Sequence, residues 1–432
     1  MTYVKRMRSF FNMQASSPVR RNRRGSAYLI VLGTALLVST LAYAAILATR
    51  AKGRLAGEFA DAAQARQNAW TGVELTRLWI SKDANWRTNR TVGVWASNLA
   101  LGTSAGTVTI EVGDPADNLL ANFPHDSIVV KATGKKGKAR HIMQVTIKAN
   151  PTPLPALQCA VHTGGQIHIE GSKTFNAGGA IVSTNGNVRN DGTIQGSVQC
   201  TLALPAGTIT NGLQILAPAK ALPDSTIAEK YAAVGTQIST NTLDKRVLSP
   251  SLNPFGAANP YGIYVIRSTN DVTLKLTRIY GTLVVICPGR RLTIDNNVLL
   301  EPYRSDCPAL VVVGDAHIQF ASGNNSFREI DAGISLNPPG APYNGVANTN
   351  ISETFPSEIR GLVHVTGAIL YRASATVRGA ILSNSTAGAD AFDVDDTTTI
   401  TYTPGLYTSP PCWYTTAVPM VIDRGTWKPL AD

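Results

Sequence analysis

The chain has 432 residues, of which 44% are hydrophobic and 16% are charged. This composition is typical of globular proteins and excludes a largely disordered chain. The net charge is +11, but ten basic residues precede the first acidic residue, Glu58, so residues 58–432 carry a net charge of only +1. The excess positive charge is therefore local to the N-terminal segment, which excludes a basic nucleic-acid-binding domain.

The first predicted element is a long apolar helix. A cluster of arginines ends at Gly25, and residues 26–49 contain no charged side chain. At about 1.5 Å per residue, this run can cross the ~30 Å hydrocarbon core of a bilayer as one helix. Apolar residues continue at helical spacing through residues 50–80. We therefore expect a basic leader over residues 1–25 and a transmembrane and amphipathic stem helix over residues 26–82.

The charge flanking this helix predicts its orientation. Seven of the ten basic residues precede the apolar run, which favours a cytoplasmic N-terminus. Three other interpretations of the segment remain open. It could be a secretory signal cleaved after Ala42-Tyr43-Ala44, a twin-arginine signal built on Arg20-Arg21 and Arg23-Arg24, or a plain uncleaved anchor.

The basic leader, the Gly25–Ser26 junction, the membrane-length helix and its amphipathic extension together resemble the N-terminus of a type IV pilin or pseudopilin. The resemblance implies cleavage between Gly25 and Ser26 by a prepilin peptidase. It also implies a single-pass inner-membrane protein with a periplasmic or extracellular head, whose partners are the membrane and other pilins or pseudopilins.

One position departs from the pattern of the major pilins. That family carries a glutamate five residues into the mature chain, where this sequence has Ile30. The glutamate is thought to neutralise the free amine of a neighbouring subunit, and such a charge pair is valuable in lipid. An apolar residue there resembles minor pilins of the PilX class and the tip pseudopilin of type II secretion, which implies a sparse subunit.

A small antiparallel β subdomain is predicted over residues 83–150. Polar and apolar residues alternate in residues 107–112, and two further alternating runs, 127–132 and 141–147, flank a Gly-Lys-Lys-Gly turn. The resemblance to pilins implies that this sheet packs against the stem.

The remainder of the chain predicts a mostly β head, which makes the fold class α+β. Short alternating runs separated by Gly, Asn and Asp recur in residues 151–205, the first part of the head, and in residues 261–432. They favour a parallel β-solenoid over a β-sandwich, because the runs are too many and too short for a sandwich. Between them, residues 206–260 form an insert, where Thr226 to Glu229 has the spacing of a capping box and predicts a short helix.

Five scattered cysteines exclude a dense disulfide framework and a zinc ribbon. In an exported head, Cys159 with Cys200 and Cys287 with Cys307 are candidate disulfides. Buried free thiols explain the same residues at least as well.

The sequence holds no nucleophile elbow, zincin motif or nucleotide-binding loop. His162, His168 and Glu170 are a weak candidate for a metal or acid–base site, and ordinary surface or core histidines are the stronger interpretation. A second weak candidate is a Ca²⁺-binding acidic loop, although a solvated loop explains it better. Its residues are Asp390, Asp393, Asp395 and Asp396.

These observations predict a non-enzymatic structural protein of the cell envelope, without a cofactor or a metal. It would serve as a minor pilin or pseudopilin in a type IV pilus or a type II secretion-like assembly. Its head would offer an interaction surface, for example toward envelope polysaccharide. The alternative is a membrane-tethered carbohydrate-active β-helix, either a polysaccharide lyase or a hydrolase, which is an argument from fold analogy alone.

Overall fold

A computed structural model describes residues 24–321, 326–386 and 390–431. Helix α1 (Arg24–Lys82) comes first, and a β-rich region follows it. The predicted order of a long apolar helix and a mostly β remainder is confirmed.

An antiparallel sheet covers the C-terminal half of α1. After the short helix α2 (Trp86–Asn89), strands β1 to β4 pair in sequence order. The strands are β1 (Gly93–Ala100), β2 (Thr107–Gly113), β3 (Ile128–Lys136) and β4 (Ala139–Ala149). The alternating pattern of β2 buries Val108, Ile110 and Val112 against the helix.

Close backbone contact fixes the helix on this sheet. Ala69 and Val73 are fully buried. A side chain at Gly134 of β3 would meet the Ala65 carbonyl oxygen 2.1 Å away, so only glycine fits there. Beside it, the Asn68 amide donates hydrogen bonds to the carbonyls of Ala105 (2.7 Å) and Lys135 (3.1 Å).

The head follows strand β5 (Thr152–Pro153) and a 3₁₀ helix (Pro155–Gln158), and it consists mainly of short strands. In chain order, the strands of its first part are β6 (Val161–Thr163), β7 (Gln166–Ile169), β8 (Thr174–Thr184), β9 (Asn187–Asn190), β10 (Thr193–Cys200), β11 (Leu202–Pro205), β12 (Thr208–Ile209) and β13 (Leu213–Ile215). Helix α3 (Ile227–Val234) follows, as the sequence predicted. Its capping box does not form, because Thr226 makes no side-chain cap bond and Glu229 pairs with Arg267 instead.

The second part of the head is longer. Its strands are β14 (Thr236–Gln237), β15 (Thr242–Asp244), β16 (Val247–Leu248), β17 (Ile263–Arg267), β18 (Val272–Lys275), β19 (Thr277–Tyr280), β20 (Thr282–Asp295), β21 (Val298–Glu301), β22 (Leu310–Gln319), β23 (Ser326–Arg328), β24 (Thr354–Pro356), β25 (Glu358–Val365), β26 (Ile369–Arg372), β27 (Thr376–Ser383), β28 (Asp390–Val394) and β29 (Thr398–Tyr402). Helices α4 (Glu329–Ala332) and α5 (Gly405–Thr408) complete it.

Parallel pairing arranges most of these strands in three ladders. The first ladder runs β14, β17, β20, β22, β25, β27, β6, β8, β10, β13. The second runs β15, β18, β20, β22, β26, β28, β7, β9, β11. The third runs β16, β19, β21, β25, β27, β29, β8, β10, β12.

The order of strands in the ladders differs from their order in the chain. In each ladder, a strand of the first part of the head (β6, β7 or β8) pairs with a strand of the second part (β27, β28 or β29). Residues 161–215 therefore extend one end of the stack, and the chain then crosses to the other end at β14. We call the contact between the two parts the seam.

Each ladder has a different outer face. Inward side chains of all three ladders form one apolar core. The outer side of the first ladder is covered by α3, the 3₁₀ helix and α5, which build a second core. Part of the third ladder is covered by residues 327–355. The outer side of the second ladder carries charged residues that are treated below.

The last strands return to the antiparallel sheet that packs on α1. Strand β30 (Thr415–Ala417) pairs with β5, and β31 (Met420–Ile422) and β32 (Lys428–Leu430) pair with β4. Trp427 stacks on Trp70 of α1 with ring centroids 4.4 Å apart. The head is thus an insertion between strands of the sheet, and two chain segments connect it to the stem.

Candidate functional site

The first candidate surface is the N-terminal half of α1, which we call the exposed stem (residues 27–60). Its large apolar side chains between Tyr28 and Leu47 are 47–69% exposed. The most apolar window of this helix has a mean hydropathy of 2.2, and the described residues bury none of it. By length and composition, the helix can cross a membrane.

Four hydroxyl side chains in the uncharged part of the exposed stem, residues 27–49, are satisfied inside the helix. The hydroxyls of Thr34, Ser39, Thr40 and Thr49 donate to backbone carbonyls three or four residues earlier, at 2.8–3.0 Å. In lipid, a polar group without such a partner is costly, so these bonds suit an apolar environment.

The predicted processing residues lie at the start of this helix. Gly25 and Ser26 are part of α1, but their side chains lie outside the described residues. Ile30, which stands where major pilins have glutamate, is 65% exposed. Cleavage between Gly25 and Ser26 stays a prediction.

The contact between sheet and head is a second candidate. Arg304 of the head binds Asp306 through both carboxylate oxygens and also reaches Asp126 of the sheet at 3.1 Å. Its guanidinium lies 3.9 Å from the ring centroid of Phe123. An adjoining cavity of about 730 Å³ is lined by His125, Arg304 and Asp306, among others. These interactions hold the head on the sheet, since they join residues from both.

The five cysteines are buried free thiols. Burial raises the pKa of Cys159 and of Cys287 to about 11, which keeps these thiols protonated. Cys287 belongs to the inner core and Cys307 to the second core, beside Cys412. The structure thus has free thiols at Cys159, Cys200, Cys287 and Cys307, which is the alternative that the sequence offered to the two disulfides.

The third candidate is a histidine–carboxylate group on the outer face of the second ladder. His168 of β7 lies directly opposite Asp393 of β28 in parallel register, across the seam. The His168 Nδ1 atom is 3.1 Å from Asp393 Oδ1 and 3.4 Å from Asp390 Oδ2. The structure thus brings together one residue of the first weak candidate site of the sequence, His168, and two of the second, Asp390 and Asp393.

The other predicted members of those sites lie elsewhere or have other partners. His162 is on the first ladder, buried beside Ser183, and burial lowers its pKa to about 4. Asp395 pairs with Arg372 at 2.8 Å, and Asp396 lies 3.9 Å from Lys173. Only Asp390 and Asp393 of the predicted acidic loop face His168, and both are in a strand.

Sequence reasoning missed two residues of this group. The Asp191 carboxylate is 3.4 Å from His168 Nε2, and Gln166 donates a hydrogen bond of 2.7 Å to Asp390. No signal in the sequence marked Asp191, because its place beside His168 follows from the parallel pairing of β7 with β9.

No protein-family model and no curated protein matches the chain. Among solved structures, the competence-associated pilin ComZ from Thermus thermophilus is similar at 11% identity and a TM-score of 0.34. That alignment covers 86% of this chain and 98% of ComZ. An ice-binding protein from an Antarctic biological consortium is similar at 15% identity and a TM-score of 0.22, over 59% of this chain and 90% of that one.

Proposed function

We propose that this chain is a non-enzymatic, pilin-type structural protein of the cell envelope. The observation that carries the proposal is the division of α1 into an exposed apolar half and a half packed under an antiparallel sheet. A continuous helix that is half membrane anchor and half part of a globular unit suits a subunit that can pass from a bilayer into a helical filament core.

The orientation in this proposal follows from charge. Basic residues that precede the exposed stem stay in the cytoplasm, so the sheet and the head are exported to the periplasm or the cell surface. A prepilin peptidase acting on the cytoplasmic side would then release a mature chain that begins at Ser26.

The three ladders support a β-solenoid as the architecture of the head. Each turn of the chain through β17, β18 and β19 contributes one strand to each ladder, and the next turns stack on it in parallel. Such stacking buries a continuous core and leaves an outer surface for contacts, for example with envelope polysaccharide or another surface.

Ile30 supports a minor subunit rather than a repeating one. A subunit with an apolar side chain at this position offers no carboxylate to the amine of a neighbour, so adding it to a filament gains no charge pair in lipid. A position at a tip or an initiation complex, as in the PilX class or in a tip pseudopilin, does not require that pair.

Quantifying the chain in sheared surface filaments and in the membrane fraction tests this function. We expect the protein in both fractions, at a small fraction of the major pilin in the sheared material. Abundance comparable to a major pilin would contradict the minor role. Complete absence from sheared filaments would contradict assembly and leave an anchored monomer.

A further inference from the structure

The histidine–carboxylate group at the seam has the geometry of a metal site. His168 Nδ1, Asp390 Oδ2 and Asp393 Oδ1 lie within 4.8 Å of one another, and Nδ1 is 3.1 and 3.4 Å from the two oxygens. In a tetrahedral zinc site with bonds of about 2.0–2.2 Å, neighbouring ligand atoms are about 3.3–3.6 Å apart. The two nitrogen–oxygen distances are thus close to the spacing of ligand atoms around one cation.

A second observation concerns the Asp393 carboxylate. Asp393 Oδ1 is shielded from solvent and has no hydrogen-bond partner among the described residues, although His168 Nδ1 lies only 3.1 Å away. A buried carboxylate oxygen without a partner is unfavourable. A single imidazole hydrogen also cannot serve both carboxylates that face Nδ1, whereas one cation can bind all three atoms.

The surrounding residues orient the three ligands. Asp191 lies 3.4 Å from His168 Nε2, where it favours the tautomer that keeps hydrogen on Nε2 and leaves the Nδ1 lone pair free. Arg189 holds Asp191 at 2.9 Å. Gln166 binds Oδ1 of Asp390 and so leaves Oδ2 of that carboxylate directed to His168. Outer partners of this kind are typical of histidine ligands to zinc.

The local charge also favours a cation. The carboxylates of Asp191, Asp390 and Asp393 surround the single imidazole of His168 at 3.1–3.4 Å. The nearby cations Arg372 and Lys173 face Asp395 and Asp396 instead. A divalent ion would relieve the repulsion between the carboxylates of Asp390 and Asp393.

We propose that His168, Asp390 and Asp393 bind one divalent transition-metal cation of the zinc class, with Asp191 as the residue that orients the imidazole. An imidazole with two carboxylates suits zinc better than Ca²⁺, which prefers six to eight oxygen ligands. The proposal is independent of the pilin-type function. Because β7 and β28 belong to the two different parts of the head, the ion would fasten the seam between them.

A second cluster offers an internal comparison. His125, Asp306 and Cys412 also have ligand atoms within 4.8 Å of one another. There, however, Arg304 already occupies both oxygens of Asp306, at 2.9 and 2.8 Å. We therefore assign the cation to His168 rather than to His125.

The test uses the full chain in detergent, stripped of metal, and titrates Zn²⁺ near neutral pH against a chromophoric chelator. We expect one Zn²⁺ per chain and a rise in the melting temperature. His168→Ala should weaken binding by about 100-fold or more, and Asp191→Asn by about 10- to 100-fold. His317→Ala is the matched control, because it removes another histidine of the second ladder. His317 pairs with Leu370, and Leu370 in turn pairs with Asp393, so His317 lies two strands away from the proposed site.

Asp390→Asn gives a second variant if His168→Ala does not fold, because its amide oxygen can still accept the hydrogen bond from Gln166. It should weaken Zn²⁺ binding while the circular dichroism spectrum stays that of the wild type. The proposal is overturned if the wild type binds no Zn²⁺ or prefers Ca²⁺. Binding that survives both variants, or that is lost in His125→Ala instead, overturns it equally.

Discussion

The two halves of α1 belong to one unbroken helix but have opposite environments. In the exposed stem, Leu36 and Leu37 are 66% and 60% exposed, whereas Ala69 and Val73 in the second half are fully buried. Within the described residues, the more apolar half is thus the one left uncovered. Because exposing such a continuous apolar surface to water is unfavourable, the exposed stem is suited to contact lipid or other subunits.

An acidic substitution in each half tests this difference with the largest expected effect. Val73→Asp places a carboxylate without a partner in the core under the sheet, so we expect a loss of about 4 kcal/mol or more and loss of the folded sheet. Leu37→Asp should leave the melting temperature in detergent unchanged but reduce membrane insertion. Thermal unfolding in detergent and membrane fractionation measure the two effects. Equal destabilisation by both substitutions would contradict the division of the helix.

Acid should weaken the head while the stem keeps its structure. Burial lowers the pKa of His162 and of His364 to about 4, against 6.5 for an ordinary histidine. Between pH 6.5 and pH 4, the unfolded chain therefore binds more protons than the folded one. The free energy of unfolding is greatest above pH 6.5 and falls as the pH drops toward 4. Each histidine contributes up to about 3 kcal/mol.

Denaturant unfolding of the head at several pH values measures this effect. His364 accepts or donates hydrogen bonds with Tyr414 (3.0 Å) and Asn384 (3.2 Å), and His364→Gln keeps groups that can bond to both. The variant should lose about half of the pH dependence between 6.5 and 4. An unchanged slope would show that His364 is not the buried neutral group described here.

Two glycines of α1 give a finer comparison. A side chain at Gly72 would meet Val108 Cγ2 at 2.6 Å and Ala132 Cβ at 3.0 Å, so Gly72→Ala should cost about 1–3 kcal/mol by overpacking. At Gly57, the described residues place no atom within 4 Å of the added carbon. Gly57→Ala should therefore be neutral or stabilise the helix by up to about 1 kcal/mol. Melting temperatures in detergent compare the stability of the two variants. A lower melting temperature for Gly57→Ala would contradict the account, because it would mean that other residues pack against the exposed stem at this position.

The smallest expected destabilisation is at the contact between sheet and head. Tyr261 of the head donates a hydrogen bond of 2.7 Å to Asp117 of the sheet. Tyr261→Phe should cost about 1 kcal/mol and raise hydrogen exchange in residues 114–127 without loosening the exposed stem. Faster exchange throughout the chain would mean that the two regions are more strongly coupled than these contacts indicate.

The sequence predicted the helix and the β-rich remainder because hydropathy and alternation are local signals. It did not predict β31 and β32, since short runs at the C-terminus do not reveal that they pair with β4. Nor could it predict the seam, because alternation says which side chains face a core but not which strands are neighbours. For this reason, only the structure shows that His168 and Asp393 are neighbours, through the parallel register of β7 and β28.

The intact mass of the mature protein, purified from membranes, tests the pilin-type account most directly. The account predicts loss of residues 1–25 and a chain that begins at Ser26, and it predicts that replacing Gly25 by a bulky residue leaves the full precursor in the membrane. A mature chain that begins at Ala45 would instead identify a cleaved secretory signal and a protein without the stem. An unprocessed Met1 in wild-type membranes would identify a plain anchor and contradict the account.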